Sequence, residues 1–258
     1  MANLYWVYGG VSTNWSTAGN WRVGSSGGPV SGSAPTLSDN VFFDAAATGT
    51  VTVTTGAVCN DITITSASLT LAGSGAWSIY GSLSWPATGL TRTYSGAITF
   101  AATSSGKTIN TNGNALTTNN ATFSGVGGAW TLQSALAVIS TCTLTSGTLI
   151  LGNYTLTCGI FSSNNSNTRS IYFGTGNISI TLATTGTVWA AGTATGLTIA
   201  GTPNVYLTGN AAAGVTRTCA NGSGSGGSSA NAISAYVMAG AGAVNFGGHY
   251  NTIDYTGN

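Results

Sequence analysis

The sequence predicts an all-β chain, a β-helix or β-solenoid of short strands behind an aromatic-rich N-terminal cap. Three observations predict it. Short runs alternate apolar residues with Thr or Ser, the clearest runs recur about every seven residues, and charged helix formers are almost absent. Of 258 residues, 3% are charged and 39 are Gly. A helical protein would need Glu, Lys, Arg, Leu or Gln on its helix surfaces. This chain has no Glu, and its acids are Asp39, Asp44, Asp61 and Asp254.

The alternating runs fall at 51–54, 62–65, 69–71, 77–81, 142–145, 149–151, 154–158, 178–182, 197–199 and 205–207. Each ends at Gly, Asn or Ser, which supply turns. Residues 232–238 fit a helical turn and a strand equally well. Three short strands per coil of about 20 residues is a solenoid layout. Inward Val, Ile, Leu, Cys and Trp would stack into a narrow core, and outward Thr and Ser would keep the surface wet without charge. Echoes support repetition: 75–79 resembles 128–132, 69–73 resembles 197–201, and 142–145 resembles 154–157. The offsets share no strict period, so the repeat is degenerate. About ten coils would give a rod on the order of 50 Å long.

Composition divides the chain into four parts. Residues 1–45 hold Trp6, Trp15 and Trp21 and form the expected cap, a candidate docking segment. Residues 46–220 form the body, 221–230 a flexible Gly/Ser loop, and 231–258 terminal strands or a docking arm.

Charge and motif content narrow the function. Five scattered bases at net charge +1 cannot supply the clustered cations that nucleic-acid binding needs. No apolar run reaches the length of a membrane span, so membrane insertion is not expected. The opening residues lack the basic and apolar regions of a secretory signal, which predicts folding in a cytoplasm. Cys59, Cys142, Cys158 and Cys219 form no CxxC pair and read as small buried side chains. Cys142 and Cys158 are near enough in sequence to stack or to pair. No metal site, cofactor or catalytic residue is expected. Polysaccharide cleavage would need two positioned carboxylates, and Asp39 and Asp44 fall in the cap, where Asp ordinarily makes turns. A Ser-His-Asp triad would have to use His249, with no GxSxG elbow before it.

Two binding alternatives remain. Trp85, Trp189, Tyr94 and Tyr172 are candidate glycan-contact aromatics, with core packing as their commoner use. Thr50, Thr52 and Thr54, and Thr141, Thr143 and Thr145, have the Thr-x-Thr form of an ice-ordering face. Such an array needs constant spacing from coil to coil, and here the offsets drift.

The run Trp6-Val7-Tyr8-Gly9-Gly10-Val11-Ser12-Thr13-Asn14-Trp15-Ser16-Thr17-Ala18-Gly19-Asn20-Trp21, followed by Pro35-Thr36-Leu37-Ser38-Asp39-Asn40-Val41-Phe42-Phe43-Asp44, resembles a recurring opening. It is similar to the start of Gly/Thr-rich β-solenoid proteins: bacterial adhesins, autotransporter passengers, and virion proteins of marine and cyanobacterial tailed phages. The resemblance implies a passive, repetitive, surface-displayed structural protein. The expected function is a non-enzymatic virion protein, decorating a capsid or forming part of a tail fibre or spike. It would be assembled in the host cytoplasm and displayed on the virion surface. Its expected partners are other virion proteins and copies of itself, a trimer ahead of other states, with host surface glycans as a further class. The alternatives are a glycan-binding adhesin, an ice-binding protein and a depolymerase.

Overall fold

A computed structural model describes residues 1–10, 12–117, 120–222 and 231–255. The chain is all-β. Among the described residues the helical element is one short 3-10 turn, Ala18–Asn20. Nearly every strand pairing is parallel, and the strands fall into three ladders.

The first ladder runs through Asn3–Trp6, Asn40–Phe43, Ile62–Ile64, Leu83–Ser84 and Lys107–Asn110. It continues through the later halves of Asn120–Leu132 and Thr141–Ile150, then Arg169–Tyr172 and Leu197–Ala200. The second runs through Ala57–Cys59, Trp77–Ile79 and Ile98–Phe100, then the opening halves of the same two long strands. It ends with Ile160–Ser162, Gly186–Ala191, Thr216–Asn221 and Ala243–Gly248. The third begins with Gly49–Val53, Leu69–Gly73 and Thr91–Arg92. After a gap marked by the Leu116–Val138 bridge, it resumes with Leu136–Ala137, Thr155–Cys158, Asn177–Ile180, Asn204–Leu207, Ile233–Val237 and Tyr250–Asp254.

From Asn40 to Asn221 the chain visits these ladders in one fixed order: first, third, second, first again. Early partners lie 20 residues apart, as for Ala57 and Trp77. Later ones lie 28 apart, as for Arg169 and Leu197, because the connecting corners lengthen. The strands stay short while the period drifts, which is why no strict repeat is visible in the sequence.

The alternation predicted for the strands is what packs them. Ala57–Cys59, Ile62–Ile64 and Trp77–Ile79 each bury their outer two residues and leave the middle one half-buried. Parallel, in-register pairing repeats side chains at about 4.8 Å, so like rings stack. Phe100 and Phe123 lie 4.9 Å apart at 14°, and Phe161 and Trp189 4.8 Å apart at 19°. Among the described residues, fifty-one buried ones form a continuous apolar core from Leu4 to Ile233.

The corners are held by polar ladders. Asn40 Nδ2 donates to Asn3 Oδ1 at 3.1 Å, and Asn60 Nδ2 to Asn40 Oδ1 at 2.8 Å. One step further, Asp61 Oδ1 accepts the Ser82 amide at 2.7 Å. Gly73 shows why these corners use glycine. Its φ is +102°, and a Cβ there would lie 2.1 Å from the Val53 carbonyl oxygen.

Several expectations are refined. The runs at 142–145 and 149–151 belong to one strand, Thr141–Ile150, which turns from one ladder to the next at Gly147 (φ +84°). Asn120–Leu132 does the same with register breaks on either side of Ser124, the mark of a bulge. Val126 is thrown outward there, 80% exposed. The ambiguous segment at 232–238 is the strand Ile233–Val237. Within 1–45, Asn3–Trp6 pairs antiparallel with Trp21–Val23 on one side and parallel with Asn40–Phe43 on the other. The expected Gly/Ser loop at 221–230 lies outside the described residues apart from Asn221, which ends a strand, and Gly222. Residues 256–258 of the expected terminal segment also lie outside them.

Candidate functional site

Strand parity decides what each sequence-derived candidate can touch. Trp85 and Tyr94 are 4% exposed and Trp189 is fully buried. None of the three offers a ring face to a sugar, which corrects their reading as glycan contacts. The physical reason is the two-residue period. Trp85 shares the inward parity of Leu83, and Tyr94 projects inward to meet Trp77 edge to face at 5.9 Å. Tyr94 satisfies its hydroxyl by donating to the Gly75 carbonyl at 2.7 Å, and burial raises its pKa. Trp189 donates from Nε1 to Asn221 Oδ1 at 3.2 Å. Of the four, Tyr172 alone is exposed, at 44%.

The cap tryptophans are likewise turned in. Trp6, Trp15 and Trp21 are buried and pack as a plug. Trp6 lies 5.1 Å and Trp15 4.9 Å from Trp21, and Trp15 lies 5.0 Å from Trp77. Trp21 Nε1 donates to the Trp15 carbonyl at 2.8 Å. They belong to the apolar core and cannot themselves meet a partner. Among the described residues of this segment, the exposed large apolar side chains are Met1, Tyr8, Val23, Val30 and Leu37.

Sequence reasoning missed an outward pair, Tyr206 and Tyr236. Their rings stack at 4.9 Å and 19° on the third ladder, between Ser179 on one side and Asp254 on the other. Both are half-buried. The signal was present: in Val205-Tyr206-Leu207 and Ala235-Tyr236-Val237 the tyrosine holds the polar position of the alternation.

The Thr-x-Thr segments also resolve by register. Ser78, Thr99, Thr122, Thr143 and Ser162 pair successively along the outer side of the second ladder. This file of hydroxyls is continuous. Its neighbour is not, because Thr141 faces Asn120 below and Ile160 above. Thr50, Thr70 and Thr91 pair successively in a shorter file, and Thr52 faces Ala72.

The carboxylates near the N-terminus hold backbone. Asp39 accepts from the Ala2 amide at 2.8 Å and from Thr36 Oγ1 at 2.6 Å. Partial burial pushes its pKa up, but these hydrogen bonds outweigh it and hold it below the usual value. Asp44 Oδ1 accepts the Ala46 amide at 2.9 Å.

All four cysteines are buried and free. Burial pushes the thiols of Cys59, Cys158 and Cys219 up to about 12, and that of Cys142 well above its usual value. Among the described residues no group of three His, Cys, Asp or Glu could hold a metal ion, and no helix is long and apolar enough to cross a membrane.

A cleft of about 250 Å³ opens beside the bulge of Asn120–Leu132, lined by Ser105, Val126, Gly127, Gly147, Thr148 and Ser170, with Arg169 among its walls. Arg169 is 1% exposed and spends its donors inside the protein. Nε bonds Ser163 Oγ at 2.8 Å. Nη1 bonds the carbonyls of Asn167 and Thr195 at 2.9 and 2.7 Å, and Nη2 those of Ser163 and Thr193 at 2.6 and 2.7 Å. Burial lowers its pKa. It ties successive corners together, and the cleft itself offers hydroxyls, small residues and one exposed valine. Comparison of the chain with protein-family models, with curated proteins and with solved structures found no match.

Proposed function

We propose that the three ladders are the three faces of one β-solenoid, and that the chain is a non-enzymatic structural protein of a virion, on a capsid or in a tail appendage. The observation that carries this reading is the fixed cyclic order in which the chain meets the ladders. A chain that returns to the same three ladders lap after lap builds a rod. Its interior is apolar, and its rigidity comes from backbone pairing along the axis. The outward hydroxyls and amides, the net charge of +1 and the turn-making roles of Asp39 and Asp44 support a passive surface. The N-terminal resemblance to phage and adhesin solenoids supports the virion setting. A rod with so little charge lacks colloidal repulsion and suits a tight homo-oligomer, whose contacts would depend little on salt.

The test is location. Purified particles from cells expressing the chain are analysed by mass spectrometry and imaged with a label on it. The expected result is the chain in stoichiometric amount on the particle surface, and an oligomer that survives 1 M NaCl. Absence from the particles, or dissociation by salt alone, would overturn the reading.

One observation favours a second reading, a glycan-binding adhesin. The Tyr206–Tyr236 stack stands on an outer face among Asn177, Asn204 and Ser234, giving apolar edges beside amide and hydroxyl donors. A glycan array with wild type and Tyr206→Ala checks it. Binding that is absent, or unchanged by the substitution, removes it.

A further inference from the structure

Arg92 occupies an inward position of the third ladder. It pairs in register with Leu71, which is buried, so the guanidinium is sent toward the core side. Its Cζ lies 6.0 Å from the centre of the Trp85 ring. Arg92 Nε and Nη1 are buried without a hydrogen-bond partner, and so is Trp85 Nε1. Two edges of one cationic group and a neighbouring indole N–H are therefore buried at this corner without an acceptor.

The nearby carbonyls are already engaged. That of Trp85 accepts from Asn112 Nδ2, and that of Pro86 from Asn114 Nδ2 at 3.0 Å. The Leu71 carbonyl accepts from Thr93 N at 2.8 Å and from Thr93 Oγ1 at 3.3 Å. Arg169 is the internal contrast, a buried arginine of the same chain surrounded by acceptors. Donors buried without an acceptor are costly, and a negatively charged acceptor would match the guanidinium as well as its N–H groups. A planar guanidinium over an indole face keeps its in-plane N–H groups free, in the fork that suits a carboxylate. Arg92 is only half-buried, and Ala87, Thr88, Gly89 and Thr91 around it are exposed, so a small ligand can arrive from solvent.

We propose that the corner formed by Arg92 and Trp85 binds a small oxyanion, a carboxylate or sulfate, which accepts from one edge of the Arg92 guanidinium and from Trp85 Nε1. The site goes beyond the scaffold reading and stands independently of it. The anion has two possible sources: a free ion, or the acidic group of a uronic or sulfated sugar on a surface glycan.

The test follows the Trp85 Nε1–H and Arg92 Nε–H resonances of the full chain during titration at constant ionic strength. The probes are acetate, sulfate and methyl glucuronide, with methyl glucoside as the neutral control. The resonances are assigned by their loss in Trp85→Phe and Arg92→Gln, or by through-bond correlation in the unsubstituted chain if a variant does not fold. Both signals are expected to shift together and saturate with the anions, and to stay still with methyl glucoside. Glucuronide saturating at a concentration at least about tenfold below acetate assigns the source to an acidic glycan, and equal concentrations assign it to a free ion. No shift with any anion up to about 100 mM, far above the millimolar range of a weak site, would overturn the proposal and leave water as the acceptor.

Discussion

Replacing Arg169 by Met is the most direct probe of how the lengthened corners are held. The side chain is 1% exposed and bonds the backbone carbonyls of Ser163, Asn167, Thr193 and Thr195. Met fills much of the same volume and donates nothing. Each buried carbonyl left unpaired costs about 1–3 kcal/mol before relaxation. Water reaching the corner through the adjoining cleft recovers part of that, and the charge no longer has to be desolvated. The net expectation is a loss of about 3–5 kcal/mol. With a urea slope of about 3 kcal/mol/M, the unfolding midpoint falls by about 1–1.7 M. Tryptophan fluorescence reads the transition. Hydrogen exchange of peptides covering 160–172 and 190–200 should rise before the rest of the chain. Arg169→Lys, with three donors on a shorter reach, should lie between the two. Because the acceptors are carbonyls, the loss should be the same in 1 M NaCl. A midpoint within about 0.3 M of wild type would refute the assignment of Arg169 as the tie between these corners.

Three further outcomes are expected. The four thiols should resist alkylation in the native chain at pH 8 and react fully after unfolding; and since the folded values of Cys59, Cys158 and Cys219 are raised from 9.0 to about 12, the folded state holds the extra protons, so stability is complete below about pH 9 and declines as pH rises from there toward 12, visible as a falling urea midpoint. Asp39 has the opposite sign: its lowered pKa stabilises above about pH 4 and is lost as pH falls through the folded value. Asp39→Asn should therefore cost about 0.5–1 kcal/mol at pH 7, measured as faster exchange in Asn3–Trp6, with the difference from wild type shrinking as acid protonates the carboxylate. Gly73→Ala should cost about 2–3 kcal/mol, because its Cβ meets the Val53 carbonyl, whereas Gly24→Ala, also at positive φ but with nothing within 4 Å, should cost about 1 kcal/mol; equal thermal shifts would mean that backbone conformation and not crowding is limiting.

The strands that were legible in the sequence share one property: apolar and hydroxyl residues alternate without interruption, as in Ile62–Ile64 and Thr155–Cys158. Those that escaped break the pattern for a reason that tertiary structure supplies. Arg169 and Arg217 sit at buried positions of Arg169–Tyr172 and Thr216–Asn221, so the alternation reads with the wrong phase until their carbonyl partners are known. Asn120–Leu132 contains 125–128, three glycines around Val126, and reads as a loop. The partner strand Thr141–Ile150 turns that stretch into a bend within a strand. The aromatic candidates failed on phase alone, since comparison with Leu83 would have placed Trp85 inside. Tyr206 and Tyr236 were recoverable by the same test in reverse.

The echoes within the sequence have an outcome of their own. Trp77 and Trp130 occupy corresponding positions of similar pentapeptides, yet the first belongs to the second ladder and the other to the first. Leu69 and Leu197 are divided in the same way between the third ladder and the first. Side-chain chemistry is therefore interchangeable among the ladders, and what distinguishes a ladder is its place in the order in which the chain visits them. In the proposed solenoid, gene segments encoding one whole lap could then be duplicated or deleted in frame and still join flush. Change in the length of that rod would come in increments of one lap, 20 residues as between Ala57 and Trp77 or 28 as between Arg169 and Leu197, and about 4.8 Å each, leaving both ends untouched.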